Sequence, residues 1–279
     1  MWASIKGPSA DLYTRHRYIL ERLNSEGRVQ VDALARLLGV SSMTIRRDLR
    51  ELEERGLLKR VRGGAVVRLL PEDVGYQLRA RRNRREKQTI AEAAGHLLEP
   101  GQVVYIDSGT TCIELARVLA RRASSGLRLH VFTHAVNVAS ALAGIAGLTV
   151  HQIGGEIYRE TYSAVGPLTL RTIMSLNFDL FFMGVCGVHP ERGWTNTNFP
   201  EAEVKQVVME RAQRTLVLAD ASKWGRMAAA HIAPLGKVNA WIVEREPAPG
   251  VRDLCRGSGL QLFLAEELLN GEELIKEVR

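Results

Sequence analysis

Asp107-Ser108-Gly109-Thr110-Thr111 closes a short apolar run and opens an amphipathic helical pattern. A strand-to-helix junction of this kind suits an anion. The first helical amides are unpaired, and the helix end carries about half a unit of positive charge. Gly109 lets the backbone approach a ligand closely, and the neighbouring hydroxyls add donors. Lys223, in Ala219-Asp220-Ala221-Ser222-Lys223, supplies a point charge from a second strand end. Taken alone, the Ser-Gly-Thr-Thr turn would equally suit a plain capped helix start; the second strand-end lysine favours phosphate. A nucleotide loop is excluded, because no GxxxxGK[ST] occurs and no GxGxxG follows a strand.

Other polar residues fall at the ends of apolar runs: Thr133 and His134, Gly154 and Gly155, then Glu201, Lys205 and Asp220. With Asp107, Ser108, Gly109, Thr110, Thr111 and Lys223 they form the candidate set for a small anionic ligand. The same residues admit a second chemistry. Aldose–ketose isomerisation needs a carboxylate base and a donor for the enediolate, and Asp107, Glu201 or Asp220 with Lys223 would supply them. An active sugar-phosphate isomerase or deaminase is therefore the alternative to a ligand sensor. The acid- and glycine-rich catalytic loops of such isomerases have no counterpart in Gly184-Val185-Cys186-Gly187-Val188 and the residues after it.

A separate group of residues suits a polymer of phosphates. Ile45, Leu49 and Leu52 recur at i, i+4 and i+7, an inward stripe. Met43, Arg47, Arg50 and Glu54 lie about half a turn away, flanked by Thr44 and Arg46. Hydroxyl and guanidinium groups on one helix face are equipped for backbone phosphates and guanine edges. Ser41 or Ser42 is placed to cap this helix. Downstream, Lys59, Arg60 and Arg62 surround Gly63-Gly64, a two-residue hairpin signal. The expected DNA contacts are Ser41, Ser42, Met43, Thr44, Arg46, Arg47, Arg50, Lys59, Arg60, Arg62, Gly63 and Gly64. A charge run is often no more than a solvated face. Here cap, glycine turn, basic helix and basic hairpin follow in the order of a winged helix-turn-helix.

The charge distribution agrees. Residues 1–90 hold 20 Lys/Arg and 11 Asp/Glu, whereas residues 91–279 hold 18 and 20, so the net charge of +7 belongs to the first third. A basic segment on a near-neutral body points to a polyanion partner for that segment. The elements needed to carry both sites can be read from periodicity. An early helix carries Ile19, Leu20 and Leu23, and a second spans about 31–38 with Leu34, Leu37 and Leu38 inward. Pro71 and Gly75 mark a linker at 71–77, separating a domain at 1–70 from one at 78–279. An apolar helix pattern at Ile90, Ala94 and Leu97 follows a basic start, Arg79 to Lys87, that suits either DNA contact or a solvated connection.

Apolar strands are expected at 103–107, 129–133, 148–154, 180–185, 215–220, 240–244 and 260–265, with helices near 111–122, 135–146, 167–176 and 201–213. Near-continuous apolar strands with crossover helices define an α/β fold, a mostly parallel sheet covered on both faces. Ligands in such folds gather beyond the carboxyl ends of the strands.

The run Ser41 to Ala65, with its Thr-Ile-Arg-Arg-Asp-Leu core and Arg-Gly-Gly-Ala, resembles the winged helix-turn-helix signature of the DeoR family of bacterial transcription regulators. The larger domain is similar to that family's sensor in DSGTT (107–111), GGE (154–156), VGP (165–167), GWTNTNFPEAEVK (193–205) and LADASK (218–223). The resemblance spans about 12–265. It implies a ribose-5-phosphate isomerase-like sensor domain, a phosphorylated sugar or related effector, and usually repression. Two positions depart from the pattern: His134 stands where the family commonly has Asn, and Cys186 where the residue is often polar or acidic.

No long uncharged apolar run and no cleavable leader pattern occur, which makes the cytoplasm the expected location. Cys112, Cys186 and Cys255 are odd in number and widely spaced, and the histidines lack a ligand spacing, so neither disulfide nor metal is expected, nor any cofactor. One winged domain reads one half-site, which implies a homodimer or homotetramer.

Overall fold

A computed structural model describes residues 12–26, 28–54, 58–67 and 71–271. The chain divides after Val74 into two units. The first contains α1 (Leu12–Glu26), β1 (Arg28–Gln30), α2 (Val31–Leu38), α3 (Ser42–Glu54), β2 (Leu58–Val61) and β3 (Gly64–Val67). Ile19, Leu23, Leu34, Ile45, Leu49, Leu52 and Leu58 form its core, so the inward stripe of α3 is the expected one. Leu37 was expected inward too, but it is 52% exposed. The short α2 buries Val31, Leu34 and Ala35 instead. Gly39 ends that helix at φ +66. Ser41 then caps α3, its Oγ accepting the Thr44 amide at 3.1 Å.

The wing differs from expectation in one detail. Val61 pairs with Gly64, so the turn is Arg62-Gly63, with Gly63 at φ +81, and Gly64 already belongs to β3. There β3 also pairs with β1, a strand of three residues too short to show a pattern. A Cβ on Gly64 would lie 1.9 Å from the Val29 carbonyl oxygen, which is why this position needs glycine.

The division falls within α4 (Pro71–Arg81); in the second unit α5 (Arg84–His96) precedes β4 (Val103–Ile106), α6 (Cys112–Ala123), β5 (Leu129–Thr133), α7 (Val136–Leu142) and β6 (Leu148–Gln152). A small hairpin, β7 (Glu156–Tyr158) and β8 (Ser163–Val165), leads to α8 (Pro167–Met174) and β9 (Phe178–Met183). Then come β10 (Gly187–His189), β11 (Gly193–Asn196), α9 (Phe199–Arg211) and β12 (Ala212–Leu218). The unit closes with β13 (Ala230–Ala233), β14 (Ala240–Val243), α10 (Val251–Gly257), β15 (Gln261–Leu264) and α11 (Ala265–Asn270). The stretch 71–77, expected as a linker, lies in α4: proline, a breaker inside helices, is favoured at a first helical position.

Seven strands form one parallel sheet in the order β15-β14-β12-β9-β4-β5-β6. Alternate residues of each strand enter opposite cores. Val104, Ile106, Leu180, Phe182, Leu216 and Ile242 pack under α5, α6 and α11. Tyr105, Phe181, Met183, Val217 and Trp241 pack on the other side with Trp194, Val204 and Val208. Burial on both faces explains the continuous apolar runs. The β10-β11-β13 sheet, which local pattern did not reveal, seats Trp194 against Trp241 with ring centroids 5.7 Å apart.

Candidate functional site

From β4 the chain moves outward through β5 and β6, then returns to place β9 on the opposite side of β4. Such a reversal leaves a crevice at the carboxyl ends of the two central strands. A cleft of about 500 Å³, counting its open mouth, lies there. Its lining includes Ser108, Gly109, Thr110 and Thr111 before α6, Gly184 to Cys186 after β9, and Glu201, Lys205 and Lys223. Those seven predicted residues, from Ser108 to Lys223, therefore come together. Gly109 adopts φ +108, which turns the chain into the helix.

Beneath the cleft lies a buried polar network. The Lys205 ammonium pairs with Asp107 Oδ2, which also accepts the Gly184 amide at 2.8 Å. The Tyr105 hydroxyl lies 2.8 Å from His134 Nδ1, and His134 Nε2 faces Asp107 Oδ1 at 3.6 Å. A tyrosine donating to Nδ1 leaves the ring proton on Nε2, toward the carboxylate. Burial pushes the His134 pKa down, against the attraction of Asp107, so the ring is neutral. Burial likewise disfavours the charged form of Lys205, but Asp107 and Glu201 more than offset it and hold its pKa up.

Glu201 is the second hub. Its Oε1 accepts from Ser108 Oγ (3.0 Å) and Ser163 Oγ (2.7 Å), and its Oε2 from Asn196 Nδ2 (3.1 Å) and Asn198 Nδ2 (3.0 Å). Burial raises its pKa; Lys205 and the hydroxyls of Thr161 and Ser163 outweigh that and bring it to about 2. The Ser108 hydroxyl, expected to face a ligand, is thus already donated to Glu201. A pH effect follows. The folded pKa lies below the ordinary 4.5, so the stabilisation is complete above about pH 4.5 and fades as pH falls toward 2. Urea unfolding across pH 2–7 should show up to about 3 kcal/mol of this loss in the parent chain. A Glu201→Gln chain should show a visibly flatter profile; superimposable profiles would refute the role of Glu201.

The remaining predicted residues sit elsewhere. Thr133 is buried, with its Oγ1 accepting the Ala135 amide at 3.0 Å, a local turn. The Gly154 carbonyl accepts from Thr169 Oγ1 at 2.9 Å, and a Cβ on Gly155 would meet that same oxygen at 2.0 Å. These two glycines serve packing against α8. Asp220 lies behind the wall, accepting from Asn83 Nδ2 at 2.8 Å and from the Ser222 amide at 3.2 Å. Burial opposes its ionisation, but Ser222, Asn83, Lys223 and Lys87 hold its pKa below the usual range. Asp107 and His134 likewise lie under the cleft lining.

Sequence reasoning missed Arg79 and Lys87 as cleft residues, although both line it. Burial pushes the Lys87 ammonium down to about 8, with Asp220 opposing and Lys223 and Arg79 adding to the shift. The only local signal was a lysine at an inward position of α5, three residues before Ile90. Of the segment Arg79 to Lys87, left open above as DNA contact or solvated connection, Arg79 and Lys87 line the cleft, while Arg81, Arg82, Arg84 and Arg85 are exposed. Asn196, Asn198, Thr161 and Ser163, which surround Glu201, were also not singled out: the two asparagines fall inside the 193–205 motif without marking themselves as partners of Glu201, and Thr161 and Ser163 lie in a hairpin too short to show a period.

On the first unit, α3 exposes Met43 (72%), Arg46, Arg47 and Arg50, and the hairpin exposes Lys59, Arg60 and Arg62. Some predicted contacts have structural employment. Besides capping α3, Ser41 Oγ lies 2.9 Å from Thr44 Oγ1, and Ser42 donates to Asp32 at 3.0 Å. Arg60 binds Glu53 through Nε at 2.8 Å and through its amide at 2.8 Å, fastening the wing to α3. Gly64 is buried in the sheet, leaving Gly63 at the exposed tip. Among the described residues no group of three or more His, Cys, Asp or Glu side chains could hold a metal, and no helix is long and apolar enough to cross a membrane.

Comparison with known proteins matches residues 15–68 to the DeoR-like helix-turn-helix domain and residues 82–245 to the DeoR C terminal sensor domain. A chain of Escherichia coli O157:H7 named for repression of the aga operon is 33% identical over 257 residues, covering 91% of this chain and 94% of its own. The HTH-type transcriptional regulator GlpR of Haloferax volcanii is 36% identical over 231 residues, 82% of this chain and 89% of its own. The glycerol-3-phosphate regulon repressor of Escherichia coli K12 is 27% identical over 250 residues, 90% and 98%. Among solved structures, ribose 5-phosphate isomerase A of Methanocaldococcus jannaschii covers 51% of this chain and 55% of its own at 17% identity, with a TM-score of 0.39.

Proposed function

The chain belongs to the DeoR family of transcription regulators, and on that premise we propose that it represses an operon of carbohydrate metabolism under control of a phosphorylated sugar. The observation that carries the effector class is the cleft at the β4/β9 reversal, where the start of α6 and the cations Arg79, Lys87 and Lys223 share one lining. Helix-start amides with convergent cations suit a phosphate group. Relatives named for the aga operon and the glycerol-3-phosphate regulon support a carbohydrate setting.

The site binds without turning over its ligand. A general base needs a pKa poised near the working pH and a free lone pair facing the substrate. Glu201 is held at about 2 with both oxygens engaged, Asp107 binds Lys205 and Gly184 through Oδ2 and turns Oδ1 toward the buried His134, and Asp220 accepts Asn83 and Ser222 on Oδ1 with its pKa held below the usual range. All three carboxylates serve as scaffolding. The DNA-reading element is the N-terminal half of α3 with the wing, and two or more copies of the chain are needed to occupy both half-sites of an operator.

Fluorescence anisotropy on the protein's own upstream DNA, with and without a panel of sugar phosphates, tests the reading. One compound should shift operator affinity and be recovered unchanged; its conversion would establish an enzyme instead. Arg47→Ala should weaken operator binding by about tenfold or more and lower the salt slope by about one, with ligand binding intact. Lys223→Ala should give the reverse pattern, bound operator that no longer answers to the effector. Ligand loss in the Arg47 variant would show the two roles to be misassigned.

A further inference from the structure

The corner between α4 and α5 is built unusually. Asn83 adopts a left-handed backbone, φ 53 and ψ 43, at the start of α5, yet its side chain makes no capping hydrogen bond there. Its amide instead reaches across 137 positions of sequence to Asp220 Oδ1 at 2.8 Å, and to Ser222 Oγ at 3.1 Å. One turn into α5, Lys87 is buried, and its ammonium donates to the carbonyls of Arg82 (2.6 Å) and Arg79. The Arg79 carbonyl lies in the last turn of α4 and the Arg82 carbonyl just past its end, beyond the reach of that helix's own amides. Arg79 in turn donates to the Glu160 carbonyl at 3.3 Å.

Three cations, Arg79, Lys87 and Lys223, therefore face one cleft, two of them from this corner and one from the loop that Asn83 holds. They repel one another when no anion lies between them, which contributes to the lowered Lys87 pKa. A phosphate seated before α6 would draw the corner and the Lys223 loop together. The helix leaving that corner runs back to Pro71, close in sequence to the end of β3 at Val67, and the chain passes between its two units only here.

Building on the proposed phosphate-binding role of the cleft, we infer that Arg79 and Lys87 are effector-contacting residues and that the α4–α5 corner, latched by Asn83 onto Asp220, carries occupancy of the cleft to the DNA-binding unit. Ligand binding alters an equilibrium only as far as it binds the two states differently. The corner provides such a difference, because two of the ligand's partners belong to the connecting helices themselves.

The test uses the full chain, ribose 5-phosphate and inorganic phosphate as probes, titration calorimetry for binding, and anisotropy on the upstream DNA for response. Asn83→Gly keeps the left-handed backbone and removes only the amide. It should bind the probes within about threefold of the parent, while the probe-induced change in operator affinity, about tenfold in the parent, falls below about twofold. Arg79→Gln and Lys87→Gln should each weaken probe binding by about tenfold or more; the half-buried Arg79 gives a folded variant even where loss of the buried lysine disturbs the helix end. An Asn83→Gly chain that responds like the parent, or Gln variants that bind like it, would overturn the latch and leave the sensor reading standing. A parent chain that binds neither probe would overturn the phosphate reading, and the latch with it.

Discussion

A Lys205→Met chain should lose about 3–5 kcal/mol of stability, the usual cost of removing one member of a buried ion pair. Lys205 and Asp107 are both buried, and they meet across 98 positions of sequence. Without the ammonium, Asp107 keeps the Gly184 amide on Oδ2 and a neutral imidazole 3.6 Å from Oδ1, which has no hydrogen-bond partner of its own. Methionine fills the volume of the lysine stem, so lost electrostatics rather than a cavity would dominate. For a unit of this size the melting point should drop by about 10 °C. Adding Asp107→Asn should recover most of the loss, because the uncompensated charge goes with it. A melting point within about 2 °C of the parent, or no recovery in the double variant, would remove the pair from its place as the keystone of the β4/β9 crossover.

In Asp48→Ala the expected loss falls on the other unit. Asp48 is fully buried in α3 and accepts from Arg15 through Nε at 2.7 Å and Nη2 at 3.0 Å, a fork that ties α1 to the recognition helix. Removing it breaks both bonds of this fork to a buried guanidinium, at about 3 kcal/mol. A unit this small has little stability to spare, so much of it should unfold at 37 °C. Calorimetry should show one early transition and one unchanged, and operator binding should vanish while probe binding by the second unit persists. Parent-like DNA affinity would mean that α3 is positioned by its apolar stripe alone. Within Thr-Ile-Arg-Arg-Asp-Leu the acid falls beside Ile45 and Leu52 on the helix wheel, and it is buried there.

The recognition helix was legible because one side of it must be apolar at helical spacing and its start must be capped; Ile45, Leu49, Leu52 and Ser41 satisfy both demands locally. The seven parallel strands were legible for a similar reason, since a strand buried on both faces has no room for polar residues. Their ends were less so. The strand expected at 180–185 begins at Phe178 and stops at Met183, where Gly184 turns to serve Asp107. Short segments such as Gly187–His189 and Gly193–Asn196 carry too few residues to show a period, and they pair only because the main sheet brings them together.

The sequence alone determined what kind of molecule this is: a basic helix-turn-helix unit joined to an α/β sensor unit. Charge distribution, capping and periodicity are local quantities, and each is complete within a few turns of chain. Only the tertiary structure decided which polar side chains face the cleft and which hold it together. Asp107, Glu201 and Asp220 looked alike as strand-end or helix-start acids, and Arg79 to Lys87 looked like a surface charge run. Their roles depend on partners tens to more than a hundred residues away, Lys205, Ser163 and Asn83, which folding brings within hydrogen-bond reach. Low-dielectric burial then makes those pairings strong enough to matter.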